Sequence, residues 1–321
     1  MSFTFTNNGT PPIAVITMNK KRKYVYLSSP SDVESSDEEE ETKGGSILNE
    51  KLDPKTIGYM TDQLKKGLTL EEMYKTLRGS SSGGGLSKER KTFKSYSAKE
   101  GEEVEVMPNP YPERVLVCGT SGLGKTRVVA KYGKRYLKIH PDNTINAFVR
   151  QAGDPELKDL PKQGIVLDYE HEDEDGEPDE ENLELLHKLV DNKIPLKELS
   201  NSLCVYDDCD NIQDRKLLTA VHKLMDDCGA NGRKAGIHCL YISHIIFNYK
   251  LTRSMLNEAN KTFIFPEGAE DCQVENYLTR RCMMKKKKAD QFLKDMVKSR
   301  WFMVQKGRPK YIIHEKGMFF L

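Results

Sequence analysis

A chain of 321 residues, 37% apolar and 31% charged with net charge +1, holds one large domain or two small ones but is too polar to be packed throughout. It lacks the global basic field of a general nucleic-acid binder, so any such face is local. Seven cysteines without a CxxC pair argue against a disulfide scaffold or zinc ribbon and for buried thiols in a reducing compartment. No apolar run nears the ~18 residues needed to cross a bilayer, so a soluble protein is expected.

Residues 1–52 read as a disordered tail. The basic "NKKRK" (Asn19 to Lys23) precedes "SSPSDVESSDEEEET" (Ser28 to Thr42), a block of like charge with little to bury. Import or DNA contact through the basic run, and acidophilic phosphorylation at Ser35 and Ser36, are alternatives to a plain solvated tail. Residues 53–79 follow as a small helical element. Ile57, Met60 and Leu64, then Leu68, Met73 and Leu77, stripe two short helices broken at Gly67, and Thr69 with Glu72 forms a capping box. So small a unit buries too little to be firm alone, which suggests docking to a partner more than reading DNA. Residues 80–105, opening with "SSSGGG", read as a flexible linker.

Residues 106–321 read as one α/β domain. Apolar runs at Val115–Cys118, Ile145–Val149, Ile165–Leu167, Leu203–Tyr206 and Cys239–Ile242 alternate with amphipathic stretches, the pattern of a mostly parallel central sheet with crossover helices. Ile212 to Cys228 carries Leu217, Leu218, Val221, Leu224, Met225 and Cys228 at helical spacing. The acidic "YEHEDEDGEPDEEN" (Tyr169 to Asn182) reads as a surface insertion. The segment from Arg300 to Leu321 reads as three short antiparallel strands at the sheet edge.

Between the first of these strands and a helix lies Gly119-Thr120-Ser121-Gly122-Leu123-Gly124-Lys125-Thr126, which fits GxxxxGK[ST]. Its glycines let backbone N–H groups close around phosphates, Lys125 can reach the β and γ oxygens, and the Thr126 hydroxyl can ligate Mg²⁺. Chance alone yields the pattern in roughly 1 of 100 such chains. The partner such a loop needs is a carboxylate at the tip of a buried strand. "SLCVYDDCD" supplies Asp207 for the metal and Asp208 for the attacking water, with Asp210 as an alternative. A further strand in "GRKAGIHCLYISH" ends in Ser243-His244. If it lies between the other two, that pair faces the γ-phosphate, with a satisfied structural histidine as the alternative for His244. Arg233, ahead of the same strand, is a candidate arginine finger for a neighbouring subunit, with a plain surface arginine as the alternative.

Together these stretches resemble the FtsK/HerA superfamily of ring-forming, DNA-pumping ATPases. Within it they are most similar to the DNA-packaging ATPases of large eukaryotic double-stranded DNA viruses, of the poxvirus and iridovirus type. The stretches that carry the likeness are "GRKAGIHCLYISH", "INAFVRQAGDPELKDL", "VYDDCD" and "SHIIFNYKLTRSMLNEANKTFIFP", spanning about residues 112–267. The resemblance implies a P-loop NTPase of the RecA/FtsK-like ASCE type. Lys125 and Thr126 would serve as Walker A ligands and Asp207 as the Walker B metal carboxylate. Asp208 would stand where relatives carry glutamate, His244 where they carry a sensor glutamine, and Arg233 at the finger. It further implies ATP and Mg²⁺, a pentameric or hexameric ring, and packaging of viral DNA. A capsid or portal contact through the N-terminal segment is also implied, with a location in the virion or the viral factory, cytoplasmic or nuclear.

Motor function requires basic groups on DNA phosphates. "RRCMMKKKK" (Arg280 to Lys288), Lys250 and Arg253 are candidates, with a solvated helix face as the alternative for Lys285 to Lys288. Rival readings are a chromosome-pumping or helicase-type relative and a non-motor P-loop kinase or switch. An arginine-rich substrate lid and a guanine-reading Asn/Thr-Lys-x-Asp motif, which the latter would need, are not found.

Overall fold

The computed structural model describes residues 1–28, 92–150, 156–157, 160, 162–172, 177, 179–246, 253–267, 271–296 and 299–321. The first 28 residues carry three strands, β1 (Ser2–Thr4), β2 (Ala14–Met18) and β3 (Lys21–Ser28). The expectation of an unfolded tail over residues 1–52 therefore fails for this part. Two features overcome the charge. Ala14, Val15, Ile16 and Val25 are buried, and Asn19 and Lys20 both take positive φ, 48° and 66°, between Met18 and its partner Lys21. A two-residue turn with both centres left-handed matches the twist of a hairpin. The basic run is thus the turn and the solvated start of β3.

The expected linker is corrected in the same way over residues 92–105, which hold β4 (Thr92–Phe93), β5 (Ser95–Ser97) and the start of β6 (Glu103–Val106). The helical element at 53–79 lies outside the described residues, as do residues 29–52 and 80–91.

The chain divides into two units. In the unit of Met1–Thr10 and Tyr26–Phe93, β1 runs antiparallel to the end of β3, with Ser2 opposite Ser28, and on its other side to β4. Phe3 and Phe93 pack at 5.7 Å between ring centroids. The unit of Pro11–Val25 and Lys94–Leu321 holds everything that follows. Within it, β2 pairs with Lys21–Val25 on one side and β6 on the other.

The main sheet is built, among the described residues, from β5 and nine further strands: β7 (Arg114–Cys118), β8 (Thr144–Val149), β9 (Lys162–Val166), β10 (Ser202–Asp207), β11 (His238–Ser243), β12 (Lys261–Ile264), β13 (Phe302–Gln305), β14 (Tyr311–His314) and β15 (Gly317–Phe320). Their order is β5-β15-β14-β13-β12-β7-β11-β10-β8-β9. From β12 to β9 every pairing is parallel, and from β12 through β13, β14 and β15 to β5 every pairing is antiparallel. β7 and β11 are buried along their whole length, as parallel strands covered on both faces must be. The three C-terminal strands extend the edge, as their Gly/Pro turns predict.

The α-helices among the described residues are α1 (Lys125–Ile139), α2 (Glu180–Val190), α3 (Arg215–Asn231), α4 (Arg253–Glu258), α5 (Asp271–Asn276) and α6 (Lys286–Met296). α3 starts three residues into the stretch Ile212 to Cys228 because Asp214 caps it, accepting a hydrogen bond from Leu217 N at 2.7 Å. Its core face is Leu217, Val221, Leu224, Met225 and Cys228. The acidic stretch at Tyr169 to Asn182 ends in the start of α2: Asp179 caps it, and Glu180 and Glu181 sit in its first turn, where negative charge is favoured. All seven cysteines are thiols outside any disulfide, Cys272 exposed and the other six buried. Among the described residues no helix is long and apolar enough to cross a membrane.

Candidate functional site

Strand order decides which loops meet. β11 lies between β7 and β10, and all three run parallel. The loop after β7, the acids after β10 and the polar pair ending β11 therefore share one edge of the sheet. The C-terminal ends of parallel strands are where α/β sheets place their ligands.

The loop after β7 is shaped by two glycines. Gly119 has φ 154° and packs so closely that a Cβ there would lie 2.6 Å from the Phe265 Cβ, which no side chain allows. Gly124, at φ 87°, turns the chain into α1, a conformation costly for any residue with a Cβ. The first turn of α1 carries no acidic residue, so its positive end is left to an external anion. Lys125 is 7% exposed and curls back to donate from Nζ to Gly119 O at 2.7 Å and Thr120 O at 2.8 Å. Burial pulls its pKa below the usual lysine value, opposed by the nearby Asp208 and Asp207 carboxylates.

Asp207 closes β10, and Asp208 follows in the left-handed region at φ 53°. Aspartate tolerates that conformation better than most residues, and single left-handed residues of this kind cluster at functional sites. The Asp208 Oδ1 is in a short contact with His244 Nε2. His244 Nδ1 lies 3.4 Å from Lys125 Nζ and 3.4 Å from Ser121 Oγ. An ammonium only donates, so beside a charged Lys125 the Nδ1 is the accepting nitrogen and Nε2 carries the proton toward Asp208. One imidazole thus links Lys125 to Asp208.

These groups line a single cleft of about 760 Å³, which includes residues 121–127, Asp207, Asp208 and His244. Ser243 does not line it. It is 1% exposed and donates to Asp210 Oδ2 at 3.0 Å, so only His244 of the expected pair faces the cleft, and Asp210 holds β11. Arg233 is not brought to the cleft of its own chain. It stands exposed in the short turn Gly232–Ala235, at the far end of β11 and so roughly 20 Å of strand away.

Glu156, Glu267 and Arg300 also line the cleft and were not anticipated. Glu267 had a usable signal, since it follows β12, a neighbour parallel to β7, and its C-terminal end falls on the same edge. Arg300 had none, because it precedes an antiparallel strand distant in sequence. Of the basic candidates, Lys250 and the Arg253 side chain lie outside the described residues. Arg280 and Lys285 to Lys288 are exposed, with Lys286 paired to Glu275 at 3.0 Å. Among the described residues no three His, Cys, Asp or Glu side chains form a metal cage.

A glycine-rich phosphate loop, an acid-tipped strand and a third strand inserted between them define the architecture. It is a P-loop NTPase fold. No family model matches the chain. It is 29% identical over 245 residues to uncharacterized protein V3 of Sputnik virophage, an alignment covering 73% of this chain and 91% of that one. It is similar to the genome packaging NTPase B204 of Sulfolobus turreted icosahedral virus 2, at 14% identity and TM-score 0.42, covering 65% of this chain and 98% of that one. It is also similar to the pCW3 conjugation coupling protein TcpA, at 14% identity and TM-score 0.41, covering 70% and 66% respectively.

Proposed function

We propose that this chain hydrolyses ATP and uses the energy to translocate viral double-stranded DNA into a capsid, acting as a pentameric or hexameric ring. The observation that carries the hydrolytic part is the convergence of Lys125, Asp208 and His244 in one cleft. The motor part rests on the inserted strand with its polar sensor position, and on the resemblance of "GRKAGIHCLYISH" to the FtsK/HerA superfamily. The virophage relative supports a viral setting, the virion or viral factory.

In this reading the loop N–H groups and Lys125 hold the β- and γ-phosphates. The Thr126 hydroxyl and the Asp207 carboxylate, both on the cleft wall, would hold Mg²⁺. Two protein oxygens are what that ion ordinarily takes beside phosphates and waters. When bound, it neutralises charge building on the phosphate oxygens. Asp208, steadied through Oδ1 by His244, orients the attacking water and accepts its proton. The water oxygen bonds to the γ-phosphorus as the bond to the bridging oxygen breaks. ADP keeps that electron pair, and Lys125 balances it. His244 touches both Lys125 and Asp208, so loss of the γ-phosphate is felt at β11. The exposed Arg233 fits a finger serving the neighbouring subunit, and Arg280 with Lys285 to Lys288 are candidates for the DNA-facing pore. The segment at 53–79 is the candidate docking element for capsid or portal.

Linear double-stranded DNA is expected to raise the steady-state ATPase rate of the full chain, with the stimulation fading as salt rises. Arg233→Ala should lower that rate by about 10³-fold or more and leave ATP affinity unchanged. A rate indifferent to DNA, in a fully active monomer, would favour a non-motor P-loop enzyme.

A further inference from the structure

A second cavity opens beside the phosphate cleft and shares Leu123, Gly124, Arg127 and Arg300 with it. Its volume is about 380 Å³, within the ~300–1,000 Å³ of small-ligand sites. Three walls of different chemistry enclose it.

The first wall is β6 with the residue before it, residues 102–106 lining the cavity consecutively. Among the described residues β6 pairs with β2 alone. Met107 N donates to Ile13 O, and the register that continues from there makes Glu105 and Val15 the next hydrogen-bonded pair. The N–H and C=O groups of Val104 and Val106 therefore point away from β2, along the open edge. Both residues are buried, 2% and 5% exposed, and no described backbone segment bonds to that edge. Buried backbone polar groups require a partner.

The second wall is aromatic. Trp301 and Phe263 pack at 5.5 Å, and Tyr132 meets Phe263 edge-on at 6.5 Å. The third is ionic and held in place. Glu315 accepts from Arg300 Nε at 2.9 Å, Nη2 at 2.6 Å and backbone N at 2.8 Å, which fixes the guanidinium at the seam between the two cavities.

We infer that this cavity holds the nucleoside of the triphosphate. The base lies against Trp301 and Phe263, with its polar edge hydrogen-bonded to the open edge of β6. The ribose passes Leu123 and Gly124, and Arg300, oriented by Glu315, contacts the phosphates at the seam. A heteroaromatic base offers both what a strand edge lacks, alternating donors and acceptors, and what the aromatic floor can stack on. The inference rests on the nucleotide reading of the Lys125 loop.

Trp301 is the single tryptophan of the chain, so its fluorescence reports on this cavity alone. The full chain would be titrated with Mg²⁺·ATP and with inorganic tripolyphosphate, following Trp301 emission and, in parallel, heat of binding. ATP should change the emission at its calorimetric midpoint and bind at least about tenfold more tightly than tripolyphosphate, which should leave the emission unchanged. Val128→Phe, filling the cavity from α1, should weaken ATP by about tenfold and tripolyphosphate by less than about twofold. Glu315→Gln, which loosens the Arg300 contact to the phosphates, should weaken both ATP and tripolyphosphate. ATP binding that leaves Trp301 silent and both variants unaffected would overturn the nucleoside pocket while the phosphate site stands. Binding of neither probe would overturn the nucleotide reading itself.

Discussion

ATP turnover in Lys125→Ala is expected to fall by at least about 10²–10³-fold, the usual loss when one preorganised charge is removed from a transition state. Lys125 is 7% exposed, so its attraction for developing phosphate charge is screened less than in bulk water. The fold should survive the change. The lysine head gives up two hydrogen bonds, to Gly119 O and Thr120 O, whose net worth is about 1 kcal/mol each, and alanine suits the first turn of α1. Phosphate release by the purified variant, with circular dichroism as the control for folding, checks this. Turnover equal to wild type would remove the nucleotide reading altogether.

Lys261→Met is expected to destabilise the protein by about 3–5 kcal/mol, the range for removing one partner of a buried ion pair. Glu113 is 3% exposed and Lys261 4%. Lys261 Nζ lies 2.9 Å from Glu113 Oε2 and donates to Met107 O at 2.8 Å. Glu113 also accepts from Asn109 N at 2.7 Å and from the Tyr132 hydroxyl. Methionine fills the lysine's volume but leaves the carboxylate with neutral donors only. Set against typical total stabilities of about 5–15 kcal/mol, the loss is large. Urea unfolding measures it, and adding Glu113→Gln should recover much of it, since the stranded charge is then gone. A loss below about 1 kcal/mol would mean that the carboxylate stays solvated. The pair ties the approach to β7 to the start of β12, so the site depends on it at a distance.

Much of the site is legible in the sequence because its chemistry is local. Gly119 to Thr126 sit side by side, and the strands ending at Cys118, Asp207 and Ser243 are short apolar runs that stop at polar residues. A parallel sheet buries whole strands, so those runs stand out. Their side-by-side placement was a condition the sequence could state but not meet, and the strand order meets it. What escaped has physical reasons. β2 and β3 are masked by the charge of Lys20 to Lys23, although Asn19 carries the turn signal. β6 has glutamates alternating with Val104 and Val106, which reads as polar until its pairing with β2 is known. Arg300, Glu315 and the Glu113–Lys261 pair are held by contacts between distant segments, and no periodicity announces those. Ser243 and His244 looked alike on paper. Only the register of β11 separates the buried hydroxyl from the imidazole in the cleft.

The position of Mg²⁺·ATPγS bound to the full chain bears most directly on the shared site. The triphosphate should lie along residues 119–126, with the metal between Thr126 and Asp207 and the terminal phosphorus facing Asp208 and His244. A nucleotide seated away from Lys125, or a terminal phosphate remote from those two side chains, would contradict hydrolysis in this cleft and the motor built on it.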